Sequence, residues 1–130
     1  MREIKFRGKI QEGYENAGQW EYFALEDFID DGLGAKTLDS IDFKTIGQYI
    51  GVKDKNKKEI YAGDILKDYE GHVFVIVWDE RETAFVAKCI NDPVRTDYPK
   101  DVAKYAEIIG NIYENSELLE EAIKWNVMNI

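Results

Sequence analysis

The chain has 130 residues, enough for one domain with a buried core, and its formal net charge at pH 7 is -9. Aromatic residues make up 13% of it, which argues against a disordered chain, and the acidic balance argues against sequence-independent DNA binding. No apolar run approaches the roughly 18 residues of a membrane span, and the start MREIKFRGK lacks the continuous apolar segment of a secretion signal, so we expect a cytoplasmic protein.

Two paired strands are predicted near the start of the chain. Residues 2–7 alternate apolar and charged side chains, with Ile4 and Phe6 on one side, as is typical of a half-buried strand. The run QWEYFAL around Trp20 is rich in residues that favour strands. A polar link that contains Gly13 and Gly18 separates the two runs, so we expect them to form an antiparallel pair.

Residues 26–44 lose this periodicity and are predicted to form a long loop, with one helical turn at residues 26–29. Within the loop, residues 26–42 carry six acids against one lysine. Loops of this length are uncommon unless they have a function. We therefore consider Asp27, Asp30 and Asp31 as candidate contacts to a basic partner, or as an imitation of nucleic acid; the alternative interpretation is a solvated acidic loop.

The segment TIGQYIGV, residues 45–52, predicts a strand, and the KDKNKK segment that follows it predicts a polar turn. This turn, residues 53–58, holds four lysines and one acid. Lys55 and Lys57 are candidate contacts to a partner, with nucleic acid as the class that favours lysines. The alternative is a solvated basic turn.

A hairpin is predicted from EIYAGDIL and HVFVIVW, with Gly71 supplying the positive φ of its tight turn. Residues 73–78 are apolar on both faces, so this strand should be central and covered on both sides, or one face should contact a partner. Tyr61, Asp64 and Trp78 complete the candidate partner contacts. The Gly-Asp pair that ends at Asp64 also suits a bend in which the carboxylate accepts a hydrogen bond from a backbone N–H.

Residues 79–82 are predicted to turn the chain into TAFVAKCI, which gives a meander of at least three antiparallel strands. This run contains Cys89, the one cysteine of the sequence, so an internal disulfide and a cysteine metal cluster are excluded. A free cysteine in an apolar strand is most often a small buried side chain. A role as a nucleophile would require a nearby base.

The remaining elements are a polar loop at residues 91–101, a last strand in YAEIIGNIY, and an amphipathic helix of about three turns after Asn115, a good N-cap. The apolar stripe of this helix comprises Leu118, Leu119, Ala122, Ile123 and Trp125. The tail WNVMNI is apolar for a chain end, so we expect it to dock on the sheet or to contact another subunit. Self-association into a homo-oligomer is therefore predicted.

Three segments together resemble the YopX family of small bacteriophage and prophage proteins: MREIKFR, GQYIGVKDKNKKEIYAGDIL and IIGNIYENSELL. They occur in the family's order and span nearly the whole chain. The resemblance implies a phage-derived gene in a bacterium and a mostly β fold, and it implies no reaction. Lys57 stands where the family usually has Gly, and because lysine disfavours positive φ, this departure argues against an Asn-Gly type turn.

The candidates for chemistry are sparse. The acids at residues 79–82 could supply paired carboxylates for acid–base work or for magnesium, although acids in a hairpin turn are usually solvated. His72 is the one histidine and begins a strand, where we expect it at the rim of the sheet. The GLGAK segment lacks the Gly-Lys-Ser/Thr ending of a phosphate-binding loop. We therefore predict no catalytic residues, no cofactor and no metal.

The sequence favours a mainly β fold over residues 1–130 as one YopX-like domain, with a β-rich part to about residue 113 and a helix at about 115–126. The expected architecture is a strongly bent antiparallel sheet, or a small SH3-like barrel, closed by the helix. The predicted function is non-enzymatic binding of a host or phage protein in the bacterial cytoplasm. The alternatives are a nucleic-acid-associated regulator that uses lysines and exposed aromatics, and a carboxylate-dependent hydrolase or metal enzyme.

Overall fold

The computed structural model describes residues 3–28 and 38–128. The described residues fall into two compact units, divided between Gly51 and Val52. Its strands are β1 (Lys5–Ile10), β2 (Trp20–Ala24), β3 (Ile41–Lys53), β4 (Glu59–Tyr61), β5 (Asp64–Lys67), β6 (Val73–Asp79), β7 (Ala84–Cys89), β8 (Thr96–Asp97) and β9 (Glu107–Asn111). Its helices are a 3-10 helix (Leu25–Phe28), α1 (Pro99–Val102) and α2 (Ser116–Met128).

The strands form two antiparallel sheets, with the orders β2-β1-β3-β4 and β8-β7-β6-β5-β9. The prediction of a mainly β protein with one C-terminal helix is therefore confirmed. Within the described residues both sheets are open, so the SH3-like barrel that we considered does not form.

The first unit is built on the predicted pairing of β1 with β2. Phe6 lies opposite Phe23, and their rings stack with centroids 5.8 Å apart. β1 also pairs with β3, and the register shifts between Arg7 and Lys9. At this shift Gly8 packs so closely on β3 that a Cβ atom added to it would lie 2.6 Å from Cγ2 of Ile41. A side chain at Gly8 would therefore meet β3 in this register unless one of the two strands shifted.

The second unit confirms the predicted meander β5-β6-β7, in which β6 is the central strand. Residues 73–76 are buried on both faces of the sheet, as the two-faced apolar pattern predicted. One face packs on α2, where Val73, Val75 and Ile65 form a core cluster with Ala122. Phe74 and Ile76 are buried on the other face. Only the last residues of β6 become accessible to solvent.

The turn between β5 and β6 is fixed by backbone geometry and one buried carboxylate. Gly71 has φ +91, as its predicted role in the hairpin requires. Asp68 Oδ1 accepts hydrogen bonds from the backbone N–H groups of Glu70, at 3.0 Å, and His72, at 2.9 Å. The carboxylate thus satisfies two backbone N–H groups of the turn.

The KDKNKK turn differs from our expectation, because Lys57 does adopt a positive φ, of 65°. The buried Asp54 holds the turn in this shape. Its Oδ1 accepts from the N–H groups of Asn56 and Lys58, and its Oδ2 accepts from the N–H of Ile108 in β9. These bonds outweigh the local preference of lysine for negative φ.

Three further predictions require correction. β3 begins at Ile41, so residues 41–44 belong to a strand and not to the long loop. The loop at residues 91–101 contains β8 and the start of α1. On α2, Leu118, Leu119 and Ala122 pack in the core as predicted, but Ile123 is 51% exposed. In the rest of the predicted long loop, the expected helical turn is present as the 3-10 helix Leu25–Phe28, residues 38–40 are also helical, and residues 29–37 lie outside the described residues.

Candidate functional site

The acidic candidates fall mostly outside the part of the chain that the structure describes. Asp30 and Asp31 lie in the segment that is not described. Asp27 is exposed, and its Oδ2 accepts a hydrogen bond from the N–H of Ala24 at 2.7 Å, so it closes the turn after β2.

The lysine candidates lie at the surface of the second unit. Lys55 and Lys57 have exposed side chains on the turn between β3 and β4. The backbone N–H of Lys55 donates to the carbonyl of Ala106 at 3.1 Å, which ties the turn to the segment before β9. Both lysines are therefore displayed on a turn of defined shape.

Tyr61 and Asp64 are interior residues, with 2% and 1% of their surfaces exposed. Asp64 Oδ2 accepts a hydrogen bond from the N–H of Tyr61 at 2.8 Å, across a bend in which Gly63 has φ +93. The sequence also suggested this bend for the Gly-Asp pair. Because both side chains are buried, neither can contact a partner directly in this conformation.

Trp78 is the sequence-predicted candidate that the structure places best for contact. It is 50% exposed at the end of β6 and lies directly opposite Phe85 of β7. The two rings meet edge to face, with centroids 5.2 Å apart. Edge-to-face pairs are a favourable aromatic arrangement, so Phe85 holds the exposed indole in place.

The hairpin turn that follows Trp78 is constrained. Asp79 Oδ1 accepts from the N–H groups of Arg81, at 2.8 Å, and Glu82, at 3.1 Å. Thr83 has φ 49, which is an unusual conformation for a β-branched residue. We call Trp78, Phe85 and residues 79–83 the β6–β7 tip.

A groove of about 400 Å³ begins beside this tip and continues along β8. We call it the tip groove; its lining residues are Asp79, Arg81, Glu82, Val86, Thr96, Asp97 and Tyr98. Tyr98 is largely exposed. The tip groove brings together two of the acids that the carboxylate-enzyme hypothesis requires, whereas the third, Asp64, is buried elsewhere.

A polar cluster that the sequence did not predict surrounds His72. Nδ1 of His72 lies 3.0 Å from Asp68 Oδ2 and 3.3 Å from Nη1 of Arg95. The two contacts use opposite roles of the same nitrogen, because the Asp68 carboxylate accepts only from a protonated Nδ1 and the Arg95 guanidinium donates only to an unprotonated one. Arg95 lies over the ring of Phe74 and donates to Asp97 through Nε and Nη2, and these bonds raise the pKa of Arg95. The cluster orients His72, as expected for a residue at the rim of the sheet.

Cys89 is buried beside this cluster, with 1% of its surface exposed, which confirms the interpretation of a buried cysteine. Burial raises the pKa of its thiol. Its Sγ donates to Oδ1 of Asn91 at 3.3 Å. A protonated, buried thiol is a poor nucleophile, so Cys89 and His72 do not make an activated pair here.

A second groove, of about 330 Å³, lies beside the contact of the β5–β6 hairpin with α2. We call it the helix groove; it is lined by Lys67, Glu70, Gly71, Val73, Asn91, Ile109, Leu118, Glu121 and Ala122. The described residues hold no group of three or more His, Cys, Asp or Glu side chains close enough to bind a metal. In the same residues, no helix is long and apolar enough to cross a membrane.

Comparison with known proteins identifies one family. No curated protein matches the sequence. The family model described as YopX protein matches residues 5–120, which cover most of both compact units and the start of α2. This match covers far more than half of the 130 residues and contains all three segments that carried the resemblance, apart from the first residues of one of them. The chain therefore belongs to the YopX family.

Proposed function

We propose that this protein is a phage or prophage accessory protein that acts without catalysis, by binding a host or phage protein through its β6–β7 tip. The observation that carries this proposal is the half-exposed indole of Trp78, held edge to face by Phe85. An exposed aromatic side chain that is already fixed loses little conformational freedom when it enters a partner's pocket.

The composition of the tip also favours a protein partner. Trp, Tyr and Arg dominate the residues that contribute most to protein–protein binding, and the tip groove places Tyr98 and Arg81 in one surface. Polar and charged residues then form the rim of such a contact. The tip therefore carries an aromatic pair, Phe85 and the half-exposed Trp78, at the start of a charged turn, and the tip groove adds Tyr98 beside that turn.

The charge of the tip indicates which partner it fits. Three acids, Asp79, Glu80 and Glu82, stand against one base, Arg81. We therefore infer that the partner presents basic residues around an apolar pocket, because opposite charges speed association and exclude like-charged surfaces.

The test is capture of partners from a bacterial host lysate by the tagged protein, with and without nuclease. We expect to capture a partner protein whose recovery does not change on nuclease treatment. The Trp78→Ala variant should fail to capture it, since truncation of such an anchor weakens binding by about 2 kcal/mol, or roughly thirtyfold. Phe43→Ala is the matched control, because Phe43 is 66% exposed but lies in the other unit. Glu82→Lys should weaken the same complex and reduce its dependence on salt.

Equal capture by the wild type and Trp78→Ala would contradict the proposal. Loss of all captured material after nuclease, together with loss on Lys55→Glu, would favour the nucleic-acid alternative, for which the exposed lysines of the KDKNKK turn are the support. Turnover of a nucleotide, sugar or ester that Glu82→Gln abolishes would favour carboxylate chemistry in the tip groove.

A further inference from the structure

We propose that the helix groove binds a small zwitterion with an apolar side chain, of the chemical class of a free aliphatic amino acid such as leucine. The site lies within the second unit and is lined by residues other than those of the β6–β7 tip. A cavity of about 330 Å³ is at the lower end of the range for small-molecule sites, which suits a ligand of this size.

The floor of the helix groove is apolar and comes from both the sheet and the helix. Val73 and Ile109 contribute from β6 and β9, and Leu118 and Ala122 contribute from α2. Residues four apart on a helix share one face, and the small side chain of Ala122 leaves room above the buried Val73. This floor offers an aliphatic side chain a surface removed from water.

The walls of the groove are fixed before any ligand enters. Asn91 joins the segment after β7 to the β5–β6 hairpin: its Nδ2 donates to the carbonyl of Gly71 at 2.9 Å, and its Oδ1 accepts from the N–H of Val73 at 3.0 Å. Asp68 holds the hairpin turn from its other side. A preformed cavity requires little ordering on binding, so even a small ligand can gain affinity there.

The charges at the rim match the two ends of an amino acid. Lys67 projects from β5 on the sheet side and Glu121 from α2 on the helix side, and both are exposed side chains that line the groove. Neither has an ion pair within the described part of the chain. Glu70 is partly engaged, because its hydrogen bond with the Tyr69 hydroxyl raises the pKa of Tyr69. Lys67 is therefore assigned to the carboxylate of the ligand and Glu121 to its ammonium group.

Three probes of nearly the same shape test this assignment: L-leucine, isopentylamine, which lacks the carboxylate, and isocaproate, which lacks the ammonium group. Binding to the full chain is measured by ligand-observed NMR titration. We expect leucine to bind more tightly than either probe with one charge. Lys67→Met should weaken leucine and isocaproate but not isopentylamine, and Glu121→Gln should weaken leucine and isopentylamine but not isocaproate. Each loss should be about two- to fivefold, as for an exposed ion pair.

Ala122→Leu fills the floor and should abolish binding of all three probes, while Ile123→Leu, on the exposed face of the same helix, should leave binding unchanged. If Ala122→Leu fails to fold, the two rim variants still decide the question, because both change exposed residues. Absence of leucine binding to the wild type, or equal binding of all three probes to both rim variants, would overturn the proposal.

Discussion

At the scale of single residues, the buried aspartates of this protein are structural. Asp54, Asp64 and Asp68 are each almost fully buried, and each carboxylate accepts hydrogen bonds from backbone N–H groups of a turn. Such bonds satisfy groups that a tight turn leaves without a regular partner, and a buried unsatisfied N–H would destabilise the fold by about 1–3 kcal/mol. In this sequence a buried aspartate at a turn therefore indicates bonding to the turn's backbone more strongly than it indicates a catalytic or metal site.

Lys57 gives a prediction at the same scale. Its φ of 65° is unfavourable for a residue with a Cβ, whereas glycine adopts it readily. We expect Lys57→Gly to raise the free energy of unfolding by about 0.5–1 kcal/mol, since relief of this strain outweighs the greater chain entropy of glycine when unfolded. Urea denaturation followed by circular dichroism measures the difference. Lys55→Gly, at a position without positive φ, is the control and should not stabilise the protein; equal gains from both variants would refute the explanation.

At the scale of elements, the close approach of β1 to β3 at Gly8 can be tested directly. Gly8→Ala should lower the free energy of unfolding by about 1–3 kcal/mol, because the added methyl group meets the buried side chain of Ile41. The same change in an Ile41→Ala background should cost less, and a double-mutant cycle of denaturation curves measures that coupling. If the effects of Gly8→Ala and Ile41→Ala on the free energy of unfolding are strictly additive, the loss caused by Gly8→Ala arises in the backbone of β1 and not from contact with Ile41.

The elements that the sequence predicted well are those formed by neighbours along the chain. Alternation and the glycine at position 71 were sufficient for β5, β6 and β7, and periodicity was sufficient for α2. The start of β3 at Ile41 was missed because its residues mix polar and apolar types, and their pairing with β1 is a contact between distant parts of the chain. The same limit applies to the site: Trp78 was found as a candidate, but its pairing with Phe85, the polar cluster at Arg95 and both grooves arise from the tertiary fold.

At the scale of the whole molecule, self-association stays a prediction, but the structure changes its basis. The two apolar faces of β6 are covered within the second unit over residues 73–76, so they need no second copy. The exposed aromatic residue of this strand is Trp78, which packs against Phe85 of β7. If self-association occurs there, it competes with the proposed partner for the same residues.

We therefore expect light scattering over a concentration series to show growth in mass for the wild type and a monomer for Trp78→Lys, which places a charge where an apolar contact would form. Circular dichroism should confirm that the variant remains folded, because Trp78 is half exposed. A wild-type protein that stays monomeric at high concentration would contradict the prediction, and growth in both samples would assign the contact to another surface.

The hydrogen bond from Ile108 to Asp54 and the pairing of β9 with β5 have a consequence for protein synthesis. The ribosome makes β5 long before β9, so a nascent chain that has reached only residue 100 has β5 as an outer strand, with one row of N–H and C=O groups open. Chains aggregate by pairing through open strand edges. The risk of aggregation is therefore greatest before residue 111 has left the ribosome. In residues 1–100 acids already outnumber bases, and the like net charge of neighbouring nascent chains opposes their association before the last strand closes the sheet.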